Sequence, residues 1–414
     1  MQVHLFERPI PFREIALSMP GPSVFLAVLC GSSASAQWPQ WGGPNRDFRS
    51  TATGLAEAWP EAGPTKRWER ALGPGYSSIV ADGGRVYTMY RSGEDEVVVA
   101  LDAATGATAW EHKVRTPGHS EAPESTPTVE GDKVYTLGVW GMLSALDKKS
   151  GKLAWSHDLV AEYKAKGPQF GFAASPLAYG GSLILPVGGP GYGVAAFALA
   201  DGKLLWHAHD LEEIYASPIL IDVEGEAQVV VLAAGQIVGL SPQTGELLWS
   251  EPVEGDQPIA TPVWCGDGLL CVTANFGGSV AFRLTRADGK TRVERAWKNE
   301  APITQTTVVQ VGDYLYGSTF DPPCVTAIHA KTGEIAWKEP GFSLANLVSA
   351  DGKIVLLDYD GVLGLGTATP DAWKVSGRVS LLKPQAFTPP TVADKSLYLR
   401  DLERVIAIDL ARPN

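Results

Sequence analysis

The residues of this chain best suited to chemistry lie in short, unlike stretches between longer similar ones. Glu124 stands directly before "STP" (Ser125–Pro127), with His119 and Glu121 a few residues upstream. A carboxylate there could accept hydrogen bonds or serve as one oxygen ligand of a Ca²⁺ ion. One carboxylate does not make a metal site, and a solvated loop acid is the plainer reading. His207 and His209 alternate along one stretch. A His-x-His pair can hold a metal, but no third ligand accompanies it, and His112 and His157 occupy similar places after a Trp. All four are read as exposed strand histidines. Cys265 and Cys271 flank "GDGLL", a hairpin turn, so they are either bridged in an oxidising compartment or free thiols beside Cys324.

Other loops set an aromatic ring beside a carboxylate, an amide or glycines. They include "GVWGM" with Trp140, "VGGPGYG" with Tyr192, "ANFGG" with Asn275 and Phe276, "TFDPP" with Phe320 and Asp321, "DYDG" with Tyr359 and Asp360, and "LRDLE" with Asp401. Phe172 lies in the long "YKAKGPQFGFAAS" segment. Such groups stack on and hydrogen-bond a flat, sugar-like or peptide ligand. The candidate ligand-binding set is therefore Glu124, Trp140, Phe172, Tyr192, Asn275, Asp321, Tyr359 and Asp401. No catalytic residue and no metal set is assigned. A Gly-x-Ser-x-Gly elbow and a His-Glu-x-x-His helix are both absent.

These loops need a scaffold, and the sequence spells it out. "ALDAATGATAW" (Ala100–Trp110) returns as "ALDKKSGKLAW" (Ala145–Trp155), then with decay as "AFALADGKLLW", "GLSPQTGELLW" and "AIHAKTGEIAW". A stretched copy ends at Trp297 and an eroded one at Trp373. Trp68 is a closing Trp without its opening half, and "VIAIDL" (Val405–Leu410) is an opening half without its Trp. The anchors Trp68, Trp110, Trp155, Trp206, Trp249, Trp297, Trp337 and Trp373 are 36 to 51 residues apart. That period, with turn glycines and Ser/Thr-Pro strand entries such as "STPTV" and "SPILI", specifies an all-β chain. It is a single eight-bladed β-propeller of four-stranded antiparallel blades over residues 66–414. The last blade is closed by one strand from each end of the chain. Each Trp is expected to fill the wedge between blades, because one blade cannot bury both of its faces.

The phrase A-L-D-x-x-T/S-G-x-x-x-W resembles the pyrroloquinoline quinone (PQQ)-like repeat family, which includes quinoprotein alcohol dehydrogenases and the outer-membrane-protein assembly lipoprotein. The resemblance runs from about Trp38 to Leu410, and "WPQWGGPNRDFRS" (Trp38–Ser50) looks like the opening of secreted bacterial members. It implies two functions. One is a non-catalytic binding or scaffolding propeller with a protein or small carbohydrate-like partner, which the residues favour. The alternative is a PQQ- and Ca²⁺-dependent alcohol or sugar dehydrogenase. That alternative implies an adjacent Cys-Cys pair, a Glu/Asn/Asp set on Ca²⁺ and a catalytic Asp, and no segment here matches them.

The termini and charge narrow the setting. Residues 1–36 read as a signal peptide, with the apolar core "SVFLAVLC" and a small-x-small cleavage site after Ala36. Leu29 before Cys30 is too large for a lipid-attachment box. The expected location is periplasmic or secreted, with residues 37–65 an N-terminal extension. A net charge of −12 repels phosphate backbones, so nucleic acid is excluded as a partner. No stretch after the signal is long and apolar enough to span a membrane.

Overall fold

The computed structural model describes residues 37–411, apart from 61, 120, 256–258, 275, 276, 302 and 304. The candidate signal peptide, Asn275 and Phe276 lie outside the described residues. The described strands form eight sheets, each built on four antiparallel strands that we letter A to D from the channel outward. Blade 1 is 80–115, blade 2 is 128–158, blade 3 is 177–208 and blade 4 is 219–252. Blade 5 is 263–299, blade 6 is 309–340 and blade 7 is 346–380. Blade 8 takes three strands from 391–409, and its outermost strand is Lys66–Ala71, carrying Trp68. The ring is thus closed by both ends of the chain, as the split phrase predicts.

The repeated phrase is a device of strands C and D. Its first and last residues are cross-strand partners: Ala100 faces Trp110, Ala145 faces Trp155, Ala196 faces Trp206 and Ala327 faces Trp337. Ala407 faces Trp68 across the split blade. A register shift directly before each of these Trp residues re-aims the ring out of its own sheet. The opening residue is small because an indole stands opposite it. Asp102 accepts hydrogen bonds from the amides of Ala104 and Thr105, which fixes the turn.

The Trp then clasps the next blade. Trp68 donates its indole N–H to the carbonyl of Ala103, Trp110 to Lys148, Trp155 to Leu199, Trp206 to Pro242 and Trp297 to Ala330. Each acceptor is three residues before the next blade's turn glycine, and the same indole lies against that glycine. A Cβ on Gly245 would come 2.5 Å from Trp206, and one on Gly151 would come 2.6 Å from Trp110. The turn glycine therefore serves twice, by taking φ near +70° and by making room for the neighbour's ring. The eroded copy departs from this pattern. Trp373 opens its outer strand opposite Ala368, and its buried indole nitrogen has no hydrogen-bond partner among the described residues.

The histidines after the Trp belong to the same clasp. His157 bonds the Gly202 carbonyl at 2.7 Å and His209 bonds that of Gly245 at 3.0 Å. His112 bonds Gly151, and burial lowers its pKa below the ordinary histidine value. Reading them all as exposed strand residues is therefore corrected: these three are half-buried inter-blade ties, and only His207 is exposed.

Candidate functional site

Each inner strand is entered through a hydroxyl or amide residue, and these eight residues form a ring around the central channel. The ring is Ser78, Thr126, Ser175, Ser217, Thr261, Thr307, Asn346 and Thr388. Backbone amides link one blade to the next through these side chains. Ser78 N–H donates to Thr126 Oγ1 at 3.1 Å, Thr126 N–H to Ser175 Oγ at 3.0 Å and Ser175 N–H to Ser217 Oγ at 2.9 Å. Thr307 N–H donates to Asn346 Oδ1 at 3.0 Å, and Asn346 Nδ2 to the Phe387 carbonyl at 2.7 Å.

One end of the channel is filled by the chain's own N-terminal segment. Trp38 forms a β-bridge with Ala81 of blade 1, and the Pro39 carbonyl accepts from Val129 N–H of blade 2. Trp41 donates its indole N–H to Thr261 Oγ1 of blade 5 at 2.9 Å. Arg46 is 4% exposed and donates to the carbonyls of Pro176 in blade 3 and Pro218 in blade 4. Burial lowers its pKa to about 9, so it remains charged at neutral pH. Arg49–Ser50 then pairs in parallel with Asn346–Ala350, which gives blade 7 a fifth strand. The segment that the sequence marks only as an extension is a plug.

Above the plug lies a cavity of about 420 Å³. Its wall is built from one repeating position, two residues before the ring: Tyr76, Glu124, Ala173, Tyr215, Ile259 and Gln305 in blades 1 to 6. Trp41 reaches it from the plug, and Phe170 and Phe387 complete the wall. Phe170 packs on Tyr215 with ring centroids 6.1 Å apart, and Tyr76 on Phe387 at 5.8 Å. Tyr76 also donates to Gln385 Oε1 at 3.2 Å. Among the described residues, Glu124 is the one charged side chain in this lining. Burial pushes its carboxyl up to about 7, and no hydrogen bond or ion pair to it is present among the described residues.

The sequence-predicted candidates separate into distinct places. Glu124 lines the cup. Tyr359 stands one layer out, edge-on to Phe387 at 4.9 Å. Trp140 is stacked with His119 at 3.8 Å on the loop that carries Glu124. Phe172 is 6% exposed and packs in the core of blades 2 and 3, leaving the wall to Phe170. Tyr192 is stacked on His207 at 3.9 Å, away from the cavity lining. Asp321 is exposed at the tip of its blade 6 loop. Asp401 is 3% exposed and ties its turn, accepting from the amides of Lys383, Glu403 and Arg404 and pairing with the Arg404 guanidinium at 2.8 Å. The residues that sequence reasoning missed are Tyr76, Tyr215, Gln305, Phe170 and Phe387. A register count back from each Ser/Thr strand entry would have found the first three.

Eight blades built on four antiparallel strands each, a polar ring and a plugged channel define a β-propeller of PQQ-like repeats with a blind cup on its axis. A family profile described as outer membrane protein assembly factor BamB matches residues 52–209 and 94–339, and the chain belongs to that family. It is 27% identical over 256 residues to the outer membrane protein assembly factor BamB of Shewanella oneidensis, covering 56% of this chain and 61% of that one. It is 31% identical over 281 residues to the quinohemoprotein alcohol dehydrogenase ADH-IIG of Pseudomonas putida, covering 63% of this chain and 31% of that one. The alignments thus span less than two thirds of either relative's length. The crystal structure of BamB from Moraxella catarrhalis matches with a TM-score of 0.64 at 20% identity, over 84% of this chain and 98% of that one. That likeness speaks to the fold. Among the described residues, no helix is long and apolar enough to cross a membrane.

Proposed function

We propose that this chain is an exported, non-catalytic propeller that docks polypeptide partners on the face where the cup opens. The observation that carries this reading is the plug. With one end of the channel filled by Trp38–Ser50, the axis is a dead end, suited to holding something at its open mouth. Membership in a family described by an outer-membrane assembly factor favours a protein as the occupant. Export rests on the signal-like residues 1–36, with cleavage after Ala36.

The quinoprotein relatives bring a cofactor with them, and the cup fits it poorly. Pyrroloquinoline quinone carries three carboxyl groups, whereas the only charged side chain lining the cup among the described residues is itself a carboxylate. A Ca²⁺ ion takes six to eight oxygen ligands, commonly several of them carboxylates. Among the described residues there is no group of three or more His, Cys, Asp or Glu placed to hold a metal. No step is derived through the quinone.

Site-specific photo-crosslinking in cells tests the docking reading. Probes at Phe170 and Phe320, on the open face, should give discrete protein adducts, and a probe at the outer-strand Leu205 should not. Adducts at Leu205 alone would overturn the reading. So would saturable thermal stabilisation by the quinone with Ca²⁺.

A further inference from the structure

Glu124 sits in the wall of a blind cavity whose other described lining side chains are all neutral. A carboxylate drawn partly out of water, with no hydrogen bond or ion pair among the described residues, is electrostatically incomplete. What surrounds it narrows the missing partner. The Phe170–Tyr215 pair and the Tyr76–Phe387 pair both face the cavity, and Trp41 lies at its floor. Aromatic faces carry negative charge density and attract cations, most strongly when water is excluded. A metal ion would need more oxygen or nitrogen ligands than one carboxylate supplies. A protonated amine needs one carboxylate, a few aromatic faces and room for its carbon chain, and all three are present.

We propose that the cup is a receptor for an organic ammonium group, paired with Glu124 and flanked by Tyr76, Tyr215, Phe170 and Phe387. The proposal rests on the reading of the cup as the docking site and names the chemistry that enters it. The ammonium has two sources, a free alkylamine or the lysine side chain of a partner segment. Across the cavity, the titratable groups facing Glu124 are the phenols of Tyr76 and Tyr215. Both are held above the ordinary tyrosine value, chiefly by burial, so they stay neutral where Glu124 ionises. On its own loop, His119 is stacked on Trp140, and Glu121 is engaged by its own partner. Burial holds the Glu124 carboxyl at about 7 in the empty cup, so an ammonium should bind more tightly as pH rises through that value.

Calorimetry on the full chain tests this with two charged probes, butylammonium and acetyl-Ala-Lys-Ala-amide. Butanol and the same peptide with an acetylated lysine are the neutral controls. Both charged probes should bind and neither control should. A carboxyl with pKa about 7 goes from about one tenth to about nine tenths ionised between about pH 6 and about pH 8, so affinity should rise about tenfold over that span. Glu124→Gln should lose about tenfold or more at the upper pH and become insensitive to pH. Tyr215→Leu should weaken binding at both pH values. If Glu124→Gln does not fold, the pH ratio of the unaltered chain decides. Tighter binding of the peptide points to a partner's lysine, and tighter binding of butylammonium to a free amine. Equal binding of the neutral controls, full affinity in a folded Glu124→Gln, or a pH-independent affinity of the unaltered chain would each overturn the proposal, as would no binding at about 10 mM. If open-face crosslinks persist while the charged probes fail to bind, this inference falls and the docking reading stands.

Discussion

Removing the charge of Glu124 should make the propeller more stable at neutral and alkaline pH, and only there. The carboxyl is raised from 4.5 to about 7, and burial is the sole cause. Between these values the folded state holds a proton that the unfolded chain has released. The stability this proton confers is complete below about pH 4.5 and is lost as pH rises through about 7. A shift of that size corresponds to at most about 3 kcal/mol, at 1.36 kcal/mol per pKa unit. Glu124→Gln keeps the shape and removes the titration. At about pH 8 the variant should exceed the parent by up to that amount, and at about pH 4 the two should coincide to within about 0.5 kcal/mol. Unfolding entropy grows with chain length, at about 2 cal/mol/K per residue. For a propeller of this size, 3 kcal/mol is a rise in Tm of about 4 °C. Thermal unfolding of both proteins across this pH range is the assay. A constant difference between them, or a variant less stable at the alkaline end, would refute the claim that Glu124 is a half-buried carboxyl without a partner among the described residues.

Three further outcomes follow from the clasp, the plug and the thiols. Gly245→Ala places a Cβ 2.5 Å from Trp206 at φ +73°, whereas Gly235→Ala has a similar φ of +76° and meets nothing within 4 Å. Denaturant unfolding should show about 1 kcal/mol lost at Gly235 and about 2–4 kcal/mol at Gly245; equal losses would mean that the indole contact does not matter. Arg46→Met leaves the Pro218 carbonyl without its buried donor, a cost of about 1–3 kcal/mol, and should loosen the plug. Hydrogen exchange at the amides of Trp38 and Val129 should accelerate, and unchanged protection there would show that Arg46 does not hold the segment. Cys265 and Cys271 have Sγ atoms 3.2 Å apart, so a small-molecule disulfide should oxidise them to a bridge, accepting their two electrons and two protons and leaving as two thiols. Alkylation and mass spectrometry should then find Cys324 as the only alkylated cysteine of the three, and alkylation of all three would refute the pairing.

The blades were legible in the sequence because their signals are local. Ala100 pairs with Trp110 across a single turn, and Asp102 caps that turn from inside the same eleven residues. Five copies of so short a contact, with three altered ones, leave a period that can be counted. The plug left no such trace. Trp41 meets Thr261 across 220 residues and Arg46 meets Pro218 across 172, so no spacing in the sequence announces either contact. The cup was half legible. Glu124 drew notice because it adjoins a strand entry. Trp140 and Tyr192 drew notice as loop aromatics, but their faces are taken by His119 and His207. A ring whose face is already stacked is spent on holding its loop, and sequence alone does not reveal which rings have found such a partner.

A propeller repeats its own sequence, so its copies can be compared with each other to separate shape from purpose. The ring position is Ser, Thr, Ser, Ser, Thr, Thr, Asn and Thr around the eight blades. Every copy there keeps a short side chain able to accept a hydrogen bond, which is what passing a bond from blade to blade demands. Two residues earlier the series runs Tyr, Glu, Ala, Tyr, Ile, Gln, Leu and Ala. No shared constraint of the fold yields that list: the first six members line the cavity, whereas Leu344 and Ala386 are buried. The variation is also lopsided. The polar and aromatic members fall in blades 1, 2, 4 and 6, and the aliphatic ones in blades 3, 5, 7 and 8. An occupant of the cup therefore meets one carboxylate with a tyrosine on one adjacent blade and another two blades away, an amide from Gln305 four blades away, and aliphatic side chains in blades 3 and 5. The eightfold repeat is broken at this layer, and a ligand bound there would be held in one orientation.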